Sequence, residues 1–464
     1  MFDLLKYQDK EACVCSDGRR YTYHELSVLS SEIKKKLSAH CLVFCLCSNT
    51  IETVAGYVSF VDNANVTLLL DAHISTSIFD SLYEVYKPRY VWCPKNFEAS
   101  PEYKTLGIFG DYVLFDTQEE AIELPSGISV LLTTSGSTGS PKLVRLSEDN
   151  LVANANSIIE YLHITDIERP VTSLPMYYSF GLSVINSHLL AGATLLLTDY
   201  SYIQPDFWKF AAEAGFTSFS GVPYTYEILK KLKFWSMSFP TLKTLTQAGG
   251  KLSNELLEYF ITNAQKRRID FYLMYGQTEA TARMSYLPPE YGLSKLGSIG
   301  KGIPGGKFSL IDDDNKLIDT VGEIGELVYS GANVSWGYAT CLEDLYKENE
   351  NRGVLKTGDL AYRDADGFYF IVGRKKRFLK LFGNRVSLDY IETFLKPILK
   401  ECVCVGNDSK LVVCTTDMNY DAVEIVNILS TRTKILRTVF SVQHIDTIPR
   451  SETGKILYNK IQIE

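Results

Sequence analysis

From residue 21 onward the apolar positions fall into short runs that switch between two periods. YTYHELSVLSSEIKKKLSAH (21–40) places apolar side chains three and four apart after a polar start, which predicts an amphipathic helix, and the unbroken apolar run LVFCLC (42–47) predicts a buried strand. ETVAGYVSFVDNA continues as a helix, VTLLLDA as a strand, and YVWCP and YVLFD as further strands. This alternation predicts an α/β fold with a mostly parallel sheet and helices packed on it. The strand VLLTT then runs into SGSTGSPK, and a phosphate-binding loop is expected outside the carboxyl end of such a strand.

Beyond it, EDNLVANANSIIEYL reads as an amphipathic helix, and LPMYYSFGLSVINSHLLAGATLLL as an aromatic loop, a helix and a strand. A second α/β half follows, with strands near 217–220, 243–247 and 269–274. From 296 the texture changes to short strands and glycine-rich turns, which predicts a small β subdomain. TGDLAYRDADGFYFIVGRKKR reads as strands and tight turns leading to a boundary. The expected architecture is a large domain, 1–374, of two α/β halves plus the β subdomain, and a small α+β domain, 375–464.

A chain of 464 residues exceeds what one hydrophobic core organises, which supports more than one domain. A formal charge of −8 and a pI near 5.5 argue against a general nucleic-acid binder and against a protein drawn to anionic membranes. The ten cysteines include three C-x-C pairs, Cys13/Cys15, Cys45/Cys47 and Cys402/Cys404, rather than the C-x-x-C of zinc or redox sites. They read as reduced strand residues with alternating side chains, which suggests a reducing cytoplasm. The first residues lack an apolar signal core and no run reaches the roughly 18 apolar residues of a membrane span, so a cytoplasmic protein is expected.

Five stretches carry candidate chemistry. In the first, Thr134, Ser135, Gly136, Ser137, Thr138 and Gly139 supply hydroxyls and close backbone approach, and Lys142 supplies a cation, the outline of a phosphate cradle. It fails the Walker pattern, because no Gly-Lys-Ser/Thr closes it. YGQTEA (275–280) puts an aromatic ring, a glycine and a Thr-Glu pair at a strand end. TGDLAY (357–362) offers Asp359, GRKKRFLKLFGNR (373–385) is strongly basic, and PRSETGKIL (449–457) presents Lys455. Taken singly these are ordinary features: a turn, a capping aspartate, a solvated face and a terminal-loop lysine.

In this order and at these separations, TSGSTGSPK, YGQTE, TGD, GR…K…G and PR…TGK together resemble the adenylate-forming family of acyl-CoA synthetases, peptide-synthetase adenylation domains and beetle luciferase. The resemblance spans essentially the whole chain. It implies that a carboxylate attacks the α-phosphate of ATP to give an acyl-adenylate and pyrophosphate, and that a phosphopantetheine thiol, of CoA or of an acyl carrier protein, then takes the acyl group. It further implies that Thr134 to Gly139 wrap the β- and γ-phosphates near Lys142, that Glu279 is the Mg²⁺-associated carboxylate, and that Thr278 contacts the α-phosphate. Tyr275 with Gly276 would face adenine, Gly249 and Gly250 leave room for its ring, and Asp359, supported by Arg374, accepts from the ribose hydroxyls. Lys455 becomes the catalytic cation, carried by a mobile domain that swings about Lys376, and Lys380 to Gly383 border the thiol tunnel. Such a reaction needs charge neutralisation more than acid–base help.

For the acid, the resemblance places Tyr178, Phe180, Gly181, Val222, Pro223, Met274 and Ala280 around the acyl pocket. Amino-acid-activating relatives read Phe-Asp-x-Ser where this chain has Phe180-Gly181-Leu182-Ser183, and a buried ammonium without a partner is costly. The expected function is therefore an AMP-forming carboxylic acid:thiol ligase acting on a small-molecule acid. The alternatives are an amino-acid-adenylating enzyme serving a carrier protein and a nucleotide-binding relative without chemistry.

Overall fold

The computed structural model describes residues 1–120, 124, 127–133, 142–381, 384–407, 409–450 and 456–463, with backbone alone at 376, 378, 380, 384, 385 and 459. Contacts divide the chain into two units, Met1–Lys307 with Ser330–Leu355, and Phe308–Tyr329 with Lys356–Glu464. Residue 374, after which the small domain is expected to begin, lies within the second unit.

The first unit is built on an eight-stranded sheet. In spatial order its strands are Gly337–Ala339, Leu143–Ser147, Ile128–Thr133, Val66–Asp71, Leu42–Cys47, Tyr90–Pro94, Tyr112–Asp116 and Lys104–Phe109. The four central strands, from Ile128–Thr133 to Tyr90–Pro94, are parallel. Every residue of Leu42–Cys47 is buried, as expected of a strand covered on both faces. One cover is the helix Ile51–Asp62, buried throughout Ile51–Val61; its one carboxylate there, Glu52, is paired with Arg19 at 2.7 Å. Burying side chains such as Tyr57 and Phe60 stabilises the fold by about 2 kcal/mol each.

The sheet corrects the expectation of mostly parallel pairing, since both flanks are antiparallel. No helix intervenes between Lys104–Phe109 and Tyr112–Asp116, and strands joined without a crossover run antiparallel. Leu143–Ser147 leads directly into the helix Glu148–Leu162. Ser147 Oγ accepts from the Asn150 amide (3.1 Å) while Asn150 Oδ1 accepts from the Ser147 amide (3.0 Å), a reciprocal cap that starts the helix at once.

A second sheet has Ser218–Gly221, Thr244–Gln247 and Asp270–Tyr275 in parallel, followed by antiparallel Ser285–Leu287 and Lys301–Gly302. A third joins Leu195–Leu197, Glu11–Cys15 and Arg20–Thr22. The second unit combines a four-stranded sheet, Lys307–Ile311, Gly325–Ser330, Val354–Arg363 and Tyr369–Arg374, with a hairpin Phe378–Leu381/Asn384–Ser387. Its last sheet is Cys402–Asn407, Lys410–Thr415 and Phe440–His444, and its helices are Leu388–Leu395 and Ala422–Thr433.

All ten cysteines are free, and only Cys341 and Cys402 are not fully buried. The expected alternation within C-x-C pairs does not hold, because residues two apart on a strand share a face: Cys45 and Cys47 bring their sulfurs to 3.7 Å. Among the described residues no helix is long and apolar enough to cross a membrane.

Candidate functional site

In the first unit the candidate chemistry gathers around the carboxyl end of Asp270–Tyr275. After Tyr275 the chain turns through Gly276 and Gln277 into the single turn Thr278–Ala280, then comes straight back, with the Met284 amide donating to the Tyr275 carbonyl at 2.9 Å. The turn is so tight that a Cβ on Gly276 would lie 1.8 Å from the Ala282 carbonyl oxygen, so only glycine fits. Thr281 and Ala282 hold φ of +55° and +85°, a conformation that costs side-chain-bearing residues about 1 kcal/mol or more. The segment 333–335 holds them there. Asn333 Nδ2 donates to the Ala280 and Arg283 carbonyls (2.7 and 3.0 Å), the Asn333 carbonyl accepts from Thr281 Oγ1 (2.7 Å), and the Ser335 amide donates to the Glu279 carbonyl (2.9 Å).

Three side chains then form a column. The Tyr338 hydroxyl donates to Glu279 Oε1 at 2.8 Å, and Lys142 Nζ stands 3.4 Å from the centre of the Tyr338 ring. Strand pairing sets this up: Gly337–Ala339 lies antiparallel to Leu143–Ser147, with Ala339 opposite Leu143, so the ring sits beside the lysine that precedes that strand. Burial first, then the negative charge of Glu279, push the Tyr338 phenol well above its ordinary value, so it stays protonated and donates. Beside the column, Thr278 Oγ1 and Ser179 Oγ are 3.1 Å apart. Tyr338 thus holds one of the two Glu279 carboxylate oxygens. Among the described residues no three His, Cys, Asp or Glu side chains form a metal cage.

Phe180, Val222 and Met274 belong to one apolar cluster, with Tyr178 packed on it, and Ala280 is buried nearby in sequence to Thr278. Tyr178 precedes the helix Ser179–Ala191, and burial pushes its phenol up to about 12. Gly249 and Gly250 follow Thr244–Gln247; a Cβ on Gly249 would lie 2.6 Å from Tyr178 Oη and 3.1 Å from Val222, and one on Gly250 would lie 3.1 Å from Pro223. A Cβ on Gly181 would lie 2.1 Å from the Pro175 carbonyl oxygen, so no aspartate fits at that position in this backbone. His188, the buried histidine of the same helix, is pulled down to about 4 by burial and is neutral; its Nδ1 lies 2.8 Å from the Val184 carbonyl.

In the second unit Asp359 and Arg374 are direct cross-strand partners on Val354–Arg363 and Tyr369–Arg374, and Arg374 Nε lies 3.1 Å from Asp359 Oδ1. The Asp359 amide donates to Thr357 Oγ1 (3.0 Å), which closes the TGD turn. The basic segment that follows is matched by acids of the same unit: Lys375 by Glu326 (2.8 Å) and Asp313 (3.5 Å), Arg377 by Asp389 and Glu392 (2.5 Å each). Asp389 also accepts from the Arg374 amide (3.0 Å). Thr134 to Gly139, Gly383 and Lys455 lie outside the described residues, as do the side chains of Lys376 and Lys380. The structure thus joins Lys142 and Glu279 through Tyr338, sets Thr278 against Ser179, and pairs Asp359 with Arg374. Sequence reasoning missed Tyr338, Asn333 and Ser179. Tyr338 had one available signal, its place in the glycine-flanked aromatic stretch SWGYAT.

A family model described as AMP-binding enzyme matches residues 4–339. A 2-succinylbenzoate–CoA ligase of Bacillus licheniformis is 26% identical over 359 residues, covering 74% of this chain and 72% of that protein. A long-chain-fatty-acid–CoA ligase of Escherichia coli is 30% identical over 359 residues, covering 74% of this chain and 62% of that protein. Among solved structures, an O-succinylbenzoate coenzyme A synthetase from Bacillus subtilis in complex with AMP superimposes with a TM-score of 0.80 at 21% identity, covering 100% of this chain and 98% of that one. With the family model spanning most of its length, the chain belongs to the AMP-binding enzyme family.

Proposed function

We propose that this chain activates a small carboxylic acid with ATP and passes the acyl group to the thiol of CoA. It is an ATP-dependent acid–thiol ligase that forms AMP. The observation that carries the reading is the Lys142–Tyr338–Glu279 column, with Thr278 beside Ser179 next to it. Lys142 balances the charge of the leaving phosphates, Thr278 steadies the α-phosphate, and Glu279 holds its carboxylate toward the metal. Mg²⁺, when bound with ATP, spreads the charge that builds on the bridging oxygens. Phe180, Val222 and Met274 enclose the acid and exclude water from the mixed anhydride. Residues 375–464 form the mobile part that delivers Lys455 to the first half-reaction and withdraws it for the second, about Lys376. A phosphopantetheinyl carrier protein is the alternative acceptor, and the cytoplasm the expected compartment. The amino-acid reading is disfavoured by Gly181, where the Pro175 carbonyl excludes the aspartate that an ammonium would need.

The test is a panel of carboxylic acids scored for pyrophosphate release with and without CoA. Acid-dependent release, followed by AMP and an acyl thioester when CoA is present, is expected; release with no acid in the panel removes the reading. Tyr338→Phe keeps the ring under Lys142 and removes the hydroxyl from Glu279. It should raise the Mg²⁺ concentration for half-maximal release roughly tenfold, with the KM for the acid unchanged. An unaltered Mg²⁺ requirement would show that the phenol does not orient the carboxylate.

A further inference from the structure

Two arginines are among the largest fully buried side chains of the protein, and their surroundings differ in kind. Arg145 is closed off: Nη2 meets Glu350 at 2.6 Å and the Trp336 carbonyl at 3.0 Å, and Nη1 donates to the Lys347 carbonyl at 2.6 Å. Arg283, 2% exposed, is surrounded by neutral groups. Its Nε donates to Ser183 Oγ (3.0 Å), and its Nη1 faces the Tyr161 hydroxyl (3.2 Å) and the Met274 sulfur (3.4 Å), while the guanidinium lies 4.9 Å from the centre of the Phe180 ring. Among the described residues no carboxylate pairs with it.

A guanidinium does not shed its proton in a protein, so burial leaves Arg283 charged. Neutral hydrogen bonds and one cation–π contact return less than the removal of an ion from water costs. The deficit calls for an anion. Two of the groups around Arg283, Phe180 and Met274, are the ones assigned to the acyl pocket, and the same Asn333 that holds the Ala280 carbonyl holds the Arg283 carbonyl. Nε and Nη1 make the protein bonds, which leaves Nη2 for a ligand oxygen.

We infer that the acid activated by this protein is a dicarboxylic acid, whose second carboxylate is received by Arg283 while the first is adenylated at Thr278 and Glu279. This rests on the ligase reading and names its substrate class. The buried cation repels the ammonium of an amino acid, in agreement with Gly181.

The experiment measures kcat/KM for pyrophosphate release with matched pairs differing by one carboxylate: succinate and butyrate, glutarate and valerate, adipate and hexanoate, phthalate and benzoate. Wild-type protein should favour the diacid of at least one pair by about 100-fold. Arg283→Met, similar in volume and uncharged, should abolish or reverse that ratio, and Arg283→Lys should retain part of it. The ratio between two acids is a readout that loss of structure alone does not move. A wild-type preference for the monoacid in every pair, or an unchanged ratio in Arg283→Met, overturns the inference. If Arg283→Met does not fold, the wild-type ratios and Arg283→Lys still decide. Absence of release with any acid overturns the ligase reading itself.

Discussion

Replacing Lys455 by alanine is expected to lower acid-dependent pyrophosphate exchange by roughly 10³-fold while leaving the affinity for ATP within a factor of a few. In the proposed reaction two anions approach each other, and negative charge moves onto the non-bridging oxygens of the α-phosphate as the new bond forms. A cation placed there is worth more in the transition state than in the bound ground state, so its loss appears in rate rather than in binding. In the proposed reaction the column of Lys142, Tyr338 and Glu279 would serve the leaving phosphates and the metal, and none of the three would stand in for a charge at the carboxylate. The backbone is anchored on both sides of Lys455, where Arg450 pairs with Ile456 and the Leu457 amide donates to the Pro449 carbonyl at 2.8 Å. Exchange measured beside equilibrium ATP binding separates the two effects. Exchange at the wild-type rate in the alanine variant would remove Lys455 from the chemistry.

The second large effect is expected at Asp359. Asp359→Ala should weaken binding of both ATP and AMP by about 100-fold, because a carboxylate accepting two ribose hydroxyls makes two charge-assisted hydrogen bonds of roughly 1.5 kcal/mol or more each. Stability should change little. Arg374, the residue left behind, is 63% exposed and remains solvated, so the ion pair contributes at most about 1 kcal/mol to folding. Asp359→Asn, which keeps one acceptor but no charge, should fall between the two. Nucleotide titration together with thermal unfolding of the ligand-free protein distinguishes the cases. A variant that unfolds earlier yet binds AMP as wild type does would make Asp359 a structural residue.

Much of the fold was legible because its core strands are apolar along their whole length. LVFCLC, VTLLLDA and the strand before YGQTEA fall where the pattern put them. The strand Leu143–Ser147 was missed for a physical reason. Arg145 sits at its centre, a charge that reads as surface, and its burial is made possible by Glu350, 205 residues away. Pairing direction failed at the sheet edges for a related reason, since it depends on what joins two strands rather than on the strands themselves. At the candidate site, Thr278 and Glu279 were proposed from local order, and Asp359 with Arg374 from the family's spacing; the structure pairs the last two directly. Tyr338 and Arg283 were not. An aromatic ring gives no local sign that it will lie between a lysine and a carboxylate, and the absence of a counter-ion around Arg283 becomes visible only once the chain is folded.

The free cysteines carry a consequence for how the protein opens. Burial holds the thiols of Cys15 and Cys93 in the first unit up to about 12, and those of Cys402 and Cys414 in the second to about 12 and about 11. Because the thiolate is the reactive form, these groups stay silent toward alkylating reagents while their surroundings remain closed. Each unit therefore contains its own chemical clock. With an alkylating reagent present, opening of one unit would leave a covalent mark on that unit's own cysteines.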